Sequence, residues 1–434
     1  MTEGGLRDHP QRHALANELH ARPFPELFAP CRAVVLAIKP AGDAAGRDPD
    51  ADLAHLRALL DRHGAPHPPP GANHYAGRIG RHLLRWERHT EFVTYAIHAE
   101  GVAEQPFSGS VFAAFPRDWL EAMPGEVLTS ILVRVEVIAD PANPTEAELA
   151  RLQDWFVPDS LAMSRVADGR AIVAGDFRID LAGHVRFAVL AGRDVAGRRL
   201  GRIVQRLIEI ETYKSMAMLT LPVAREVAAR VSALDGELSG LVSTMAGSGG
   251  GEAEMLDRLL AMSAEIEALS SRSAFRFGAA EAYAAILRER IAGMREIRIE
   301  GRQTLAEFMQ RRFDPAMRTC SSAKARLEEL SRRASRAATL LRTRVEVAIA
   351  AQNRGLLESM DRRAALQLRL QETVEGLSVV AISYYAVGLA GVMLAPLAHR
   401  LGADKATLQA AIALPVILAV WWMVRRLRRH LAGR

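Results

Sequence analysis

The residues best able to do chemistry are concentrated near the start of the chain. Asn17-Glu18-Leu19-His20-Ala21-Arg22-Pro23 sets an amide, a carboxylate, an imidazole and a guanidinium close together. Such a set can bind a polar ligand or do acid–base work, because histidine titrates near neutral pH. It can equally tie a helix end to a sheet through hydrogen bonds. Asn17, Glu18, His20 and Arg22 are therefore the candidate ligand-binding residues. His9 and His13 lie four apart and His20 seven further on, so one helix face could carry all three. Spacing along a short helix does not converge ligands on one ion, and no metal is expected there. Gly247–Gly251 (GSGGG) lacks the lysine and hydroxyl pair of a phosphate-binding loop, and no strand precedes it. It reads as a flexible joint. There is no GxSxG, HExxH or paired-cysteine spacing. No catalytic residue and no cofactor is assigned, and the chain reads more as a binding protein than as an enzyme.

The elements that must position these residues follow from composition and pattern. With 434 residues the chain can hold two or three domains. Hydrophobic residues make up 49% and charged residues 24%, a globular balance. Net charge is +6 and the pI about 9.7, an excess carried largely by arginines on predicted helices and in the tail. Anionic lipid suits that charge better than nucleic acid, since no aromatics interleave with the arginines. Cys31 and Cys320 lie in different predicted domains, and one distant pair is no disulfide framework, so a reducing compartment is expected.

Residues 1–197 read as an α+β domain with a mainly antiparallel sheet. Helices are expected over Gln11–His20, Asp48–His63 and Thr145–Phe156, the last capped by Thr145. Strands are expected over Arg32–Lys39, Arg81–Glu87, Glu91–Ala99, Val127–Ile138, Ala162–Val166, Ala171–Ile179 and His184–Leu190. From Arg198 strand signals vanish. Helices are expected around Ile203–Lys214 and over Pro222–Met245, Glu252–Ser271 and Ala279–Phe313, with a last break at Asp314-Pro315. Residues 198–375 form a helical, coiled-coil stalk region. In its final helix Leu327, Leu330, Ala334, Ala337, Leu341, Val345, Ala348, Gln352, Leu356 and Met360 recur at steps of three and four, which marks one packing seam.

Residues 376–424 carry two charge-free apolar segments, 377–398 and 406–424, joined by a short polar loop. Each is about 30 Å long as a helix, enough to cross a hydrocarbon core. The basic tail, 425–434, with Arg425, Arg426, Arg428 and Arg429, places both termini in the cytoplasm by the positive-inside rule. The N-terminus shows no apolar signal segment, in agreement. Small residues such as Gly388 and Gly391 allow close helix packing, and Tyr384 and Tyr385 enter the first segment early. These four are candidates for membrane packing or a gate. No acid or base inside either segment marks an ion path.

Three runs carry a family resemblance: NELHARPFPEL, TLAEFMQRRFDPAMRTC and QLRLQETVEGLSVVAISYYAVGL. They resemble the bacterial membrane-anchored proteins grouped as domain of unknown function 3422. The resemblance covers nearly the whole chain and implies a membrane anchor with no assigned activity. The architecture is also similar to that of CorA-type divalent-cation channels, whose first span ends in Gly-Met-Asn. Here that region reads Met393-Leu394-Ala395-Pro396-Leu397. The expectation is therefore a two-pass protein of the bacterial inner membrane, homo-oligomeric, whose cytoplasmic α+β domain binds a partner or ligand. The alternative is a CorA-like oligomeric channel lacking the signature.

Overall fold

The computed structural model describes residues 8–18, 23–40, 47–246, 251–401 and 404–431. It divides into two compact units: Met1–Gly249 with Asp257–Ala337, and Gly250–Leu256 with Ala338–Arg434.

The first unit is built on one nine-stranded sheet. Its strands are β1 (Cys31–Lys39), β2 (His74–Ile79), β3 (His82–Arg88), β4 (Val93–Glu100), β5 (Glu126–Ile138), β6 (Ala162–Val166), β7 (Ala171–Ile179), β8 (Val185–Gly192) and β9 (Ile297–Arg298). They lie in the order β2-β3-β4-β1-β5-β8-β7-β6-β9. Every pairing is antiparallel except β5 with β8. The sheet is mainly antiparallel, as its alternating runs and tight turns foretell. The β6–β7 turn places Ala167, Asp168 and Gly169 at positive φ.

Alternation assigns the two faces. Val34, Leu36, Ile38, Trp86, Tyr95, Ile97 and Leu132 share one core with Leu53, Leu56, Leu59 and Leu60 of helix α2 (Pro49–Arg62), after a first short helix α1 (Arg12–Glu18). Trp119 of α3 (Arg117–Glu121) completes it. Further along the sheet, Leu152 of α4 (Glu146–Trp155) packs with Met163, Ile172 and Leu190. Thr145 caps α4 in a full capping box with Glu148. On the opposite face the strands present small side chains, among them Ala33 and Ala37, and α5 (Gly197–Met218) lies against β5 and β8.

Two elements depart from the sequence expectation. Strand β2 is new: HYAGRI is half polar and carries a glycine, so its alternation is weak, as suits an edge strand. The helix expected over Ala279–Phe313 is three elements. Helix α7 (Glu252–Met294) also absorbs the gap before Ala279, and strand β9 and helix α8 (Leu305–Arg312) follow it. Ile297 and Ile299 alternate with charged neighbours, Gly301 takes φ 71°, and Thr304 forms a capping box with Glu307. A two-residue strand is too short for periodicity to reveal, and it forms because β6 offers it an edge.

After α5, helices α6 (Thr220–Ala246), α7 and the start of α9 (Asp314–Leu401) form a bundle. Ion pairs cross each interface: Arg230–Glu265 joins α6 to α7, Lys324–Glu281 joins α7 to α9, and Arg333–Asp235 joins α9 to α6. Leu327, Leu330, Ala334, Ala337 and Leu341 of the seam are buried. From Ala348 through Gln352, Leu356 and Met360 it is exposed. The final helix is α10 (Lys405–Leu431).

Candidate ligand pocket beneath the N-terminal segment

The described part of the NELHARPFPEL run, Pro23–Leu27, crosses the small-residue face of the sheet. Four contacts hold it. Arg85 Nη1 donates to the Pro23 carbonyl at 2.8 Å. The Arg202 guanidinium sits over the Phe24 ring, 5.2 Å from its centroid. Leu27 exchanges backbone hydrogen bonds with Gly197 at 3.2 and 2.8 Å. Pro25 lies on Gly201 so closely that a Cβ there would stand 1.7 Å from the Pro25 carbonyl oxygen. No side chain fits that gap unless backbone moves. Gly201→Ala is therefore expected to cost about 1–3 kcal/mol and to raise protease cleavage near Pro23–Leu27.

Beneath this segment is a cavity of about 130 Å³. Leu27, Phe28, Cys31, Leu83, Arg78 and Arg81 belong to its lining. His98 is the group inside that matters. It is 4% exposed, and neither ring nitrogen has a hydrogen-bond partner among the described residues. The register explains its position: Arg78 pairs with Leu83, Leu83 with His98, and His98 with Ala33, so the four stand in one row across β2, β3, β4 and β1. Side chains along such a row share a face, and alanine on β1 leaves the room.

Burial pushes the His98 imidazole down to about 3, and nearby Arg85 adds to the effect, so the ring is neutral at physiological pH. Burial also pushes the Cys31 thiol up to about 12, which keeps it protonated and unreactive. The pocket therefore offers hydrogen bonding and charge, with neither a thiolate nor an imidazole that titrates near neutrality.

Tyr75 Oη and His82 Nδ1 are likewise buried without a partner among the described residues, whereas several other buried polar groups are satisfied. His55 Nδ1 lies 3.0 Å from the Tyr95 hydroxyl, and His55 Nε2 lies 3.0 Å from the Trp119 carbonyl. Glu91 accepts from Arg276 at 2.6 and 3.0 Å and from the Tyr283 hydroxyl at 3.0 Å. Ser130 Oγ and His184 Nδ1 are 2.7 Å apart, the spacing of a nucleophile and its base. Asp180, however, accepts from the backbone N–H groups of Ala182 and His184 and so caps a turn. Among the described residues no third group orients the ring, and the pair lacks the makings of a triad.

The sequence-derived candidates fall in different places. Asn17 and Glu18 end α1, but their side chains, with His20 and Arg22, lie outside the described residues. So does the Gly247–Gly251 joint, apart from Gly251. His9 and His13 are exposed, and among the described residues no three histidine, cysteine or acidic side chains converge as metal ligands. In the second unit Gly391 lies against α10: a Cβ there would be 3.3 Å from Gln409 Cγ and Nε2. Gly388 faces open space, and Tyr384 and Tyr385 are exposed, their rings edge-on at 5.9 Å. Only Gly391 of these four takes part in the described hairpin contact. Helices α9 and α10 are each long and apolar enough to cross a membrane, and their apolar windows are only 11% and 6% buried. The core helix of a soluble protein would be mostly covered.

Sequence reasoning missed His98, Arg78 and Arg81. The available signal was the polar His98 on the small-residue face of a strand whose other face carries Val93, Tyr95 and Ile97. Arg78 was hidden because β2 itself was.

Among curated proteins no match is found. The family model described as "Protein of unknown function (DUF3422)" matches residues 7–431, and the chain belongs to that family.

Proposed function

We propose that this is a membrane-anchored binding protein, whose sheet unit holds a ligand in the cavity at His98. The carrying observation is the buried imidazole with two unpartnered nitrogens. A buried polar group left unsatisfied costs about 1–3 kcal/mol, and such groups are rare in folded proteins. A ligand that hydrogen-bonds the ring supplies what the fold withholds. Binding is favoured over catalysis because the imidazole and thiol in the cavity are both held far from neutral titration. Asn17, Glu18, His20 and Arg22 directly precede Pro23 in sequence and are assigned to the same ligand. Two exposed apolar helices and the arginines after them support a two-pass anchor in the bacterial inner membrane, both termini cytoplasmic. The seam, packed to Leu341 and bare from Ala348, supports homo-oligomer contacts through α9.

Two measurements test this reading. After expression the protein is expected to stay in the membrane pellet through an alkaline carbonate wash; release into the supernatant would refute the anchor. A fragment library screened by ligand-observed NMR against the full chain in detergent is expected to yield hits that vanish in His98→Leu. An unchanged set of hits in that variant would refute the pocket.

A further inference from the structure

The chemistry of the occupant can be read from the cavity, on the premise that the pocket just described is the binding site. We infer that it takes a small oxyanion that also carries a hydroxyl, its charge set against Arg78 and Arg81 and its hydroxyl end at His98.

Charge is the first argument. Arg78 and Arg81 have no carboxylate partner among the described residues. Of the two lining carboxylates, Glu26 is engaged by Arg198 at 3.0 Å, which leaves Glu100 as the remaining counter-charge. Two guanidiniums against one free carboxylate favour an anion at the rim, where both arginines are exposed. Guanidiniums bind planar or tetrahedral oxyanions through paired N–H donors.

Hydrogen-bonding capacity is the second. A neutral imidazole has one N–H donor and one bare nitrogen acceptor, and in His98 both are unpartnered. A simple carboxylate satisfies only the donor. A hydroxyl can accept from the N–H or donate to the bare nitrogen, so a hydroxylated anion can pair with whichever nitrogen it meets.

Size is the third. Neighbouring strands are about 4.8 Å apart, so the backbone positions of Arg78 and His98, two strands apart in one row, are separated by roughly 10 Å. Long side chains reach inward from one end, and the cavity of about 130 Å³ lies between them. That volume corresponds to about four waters' share of liquid. It admits inorganic phosphate or a short hydroxycarboxylate and is too small to enclose a whole nucleotide.

The test uses the full chain in detergent and isothermal titration with four probes: inorganic phosphate, lactate, propionate and 1,2-propanediol. Either phosphate alone or lactate with phosphate is expected to bind saturably, and the two separate the mineral from the organic source. Propionate, lacking the hydroxyl, is expected to bind at least about tenfold more weakly than lactate. Arg78→Ala with Arg81→Ala, both exposed and harmless to the fold, is expected to weaken the preferred anion by about tenfold or more. His98→Leu should abolish its binding. If the diol or neutral fragments bind as well as the anions and ignore the arginine changes, the pocket stands and the oxyanion assignment falls. If neither anions nor fragments bind, both fall. Anion binding that survives unchanged in both variants marks a different site and overturns the inference.

Discussion

Glu91→Ala is expected to lower the stability of the sheet-containing unit by about 3–5 kcal/mol. Glu91 lies in the connection between β3 and β4, with its side chain 3% exposed, and it receives both arms of Arg276 from α7. The Tyr283 hydroxyl donates to the same carboxylate. Removing it would leave a guanidinium only 14% exposed without its counter-charge. The tyrosine hydroxyl would lose its acceptor as well. Phe92, next in sequence, packs edge-on against Tyr213 of α5 and Tyr283 of α7. The hairpin tip is thus pinned to two helices by one ion pair and one aromatic cluster, so sheet and helices should unfold together. Urea titration followed by circular dichroism measures the loss. The double change Glu91→Leu with Arg276→Met is expected to recover most of it, because no buried charge is then left unpaired. A loss below about 1 kcal/mol in the single variant would place the pair among weak surface bridges and dismiss this account.

His98→Leu is expected to act in the opposite direction at neutral pH, stabilising the ligand-free protein by about 1–3 kcal/mol. The leucine removes an unsatisfied polar group at similar volume. The same change should also flatten the acid limb of the stability curve. The ring is held down to about 3 when folded, against an ordinary value of 6.5. Between those values the unfolded chain binds a proton that the folded chain refuses, so stability falls as pH falls. The contribution is whole above pH 6.5 and is lost at up to about 1.4 kcal/mol per pH unit through the window. Urea midpoints for wild type and variant at pH 7, 5 and 4 should therefore diverge as the solution is acidified. Parallel curves would mean that His98 takes up its proton in the folded state. A residue whose removal stabilises the protein while emptying its pocket is the pattern expected when a site is kept for binding at the expense of the fold.

How much of this was legible without coordinates depends on the length of each signal. Strands β5, β6 and β7 stand where their residues place them, because alternation or β-branched runs of five or more residues compete with few alternatives. The capping box at Thr145 is equally local. The long helix α9 was readable from its lack of proline between Pro315 and Pro396 and, before Gly376, of any glycine but Gly355. What escaped was cooperative. Ile297–Arg298 becomes a strand only because β6 has an open edge, and HYAGRI only because β3 pairs with it. The pocket escaped for the same reason. Arg78, Leu83, His98 and Ala33 are neighbours through three strand pairings, and nothing in their spacing along the chain announces the row.

The late arrival of β9 bears on how the protein is made. The other eight strands are complete by Gly192, yet the sheet acquires its last edge strand only at Ile297. A ribosome adds about 5–20 residues per second. The interval between Gly192 and Ile297 therefore leaves the β6 edge bare for roughly 5–20 s. An open strand edge is a template for pairing with another chain. β6 is short, five residues, and carries Arg165, features that blunt such pairing during the wait. The first apolar segment is synthesised about 80 residues after β9, so at the same rate the sheet has roughly 4–16 s in which to close before membrane-seeking sequence follows it.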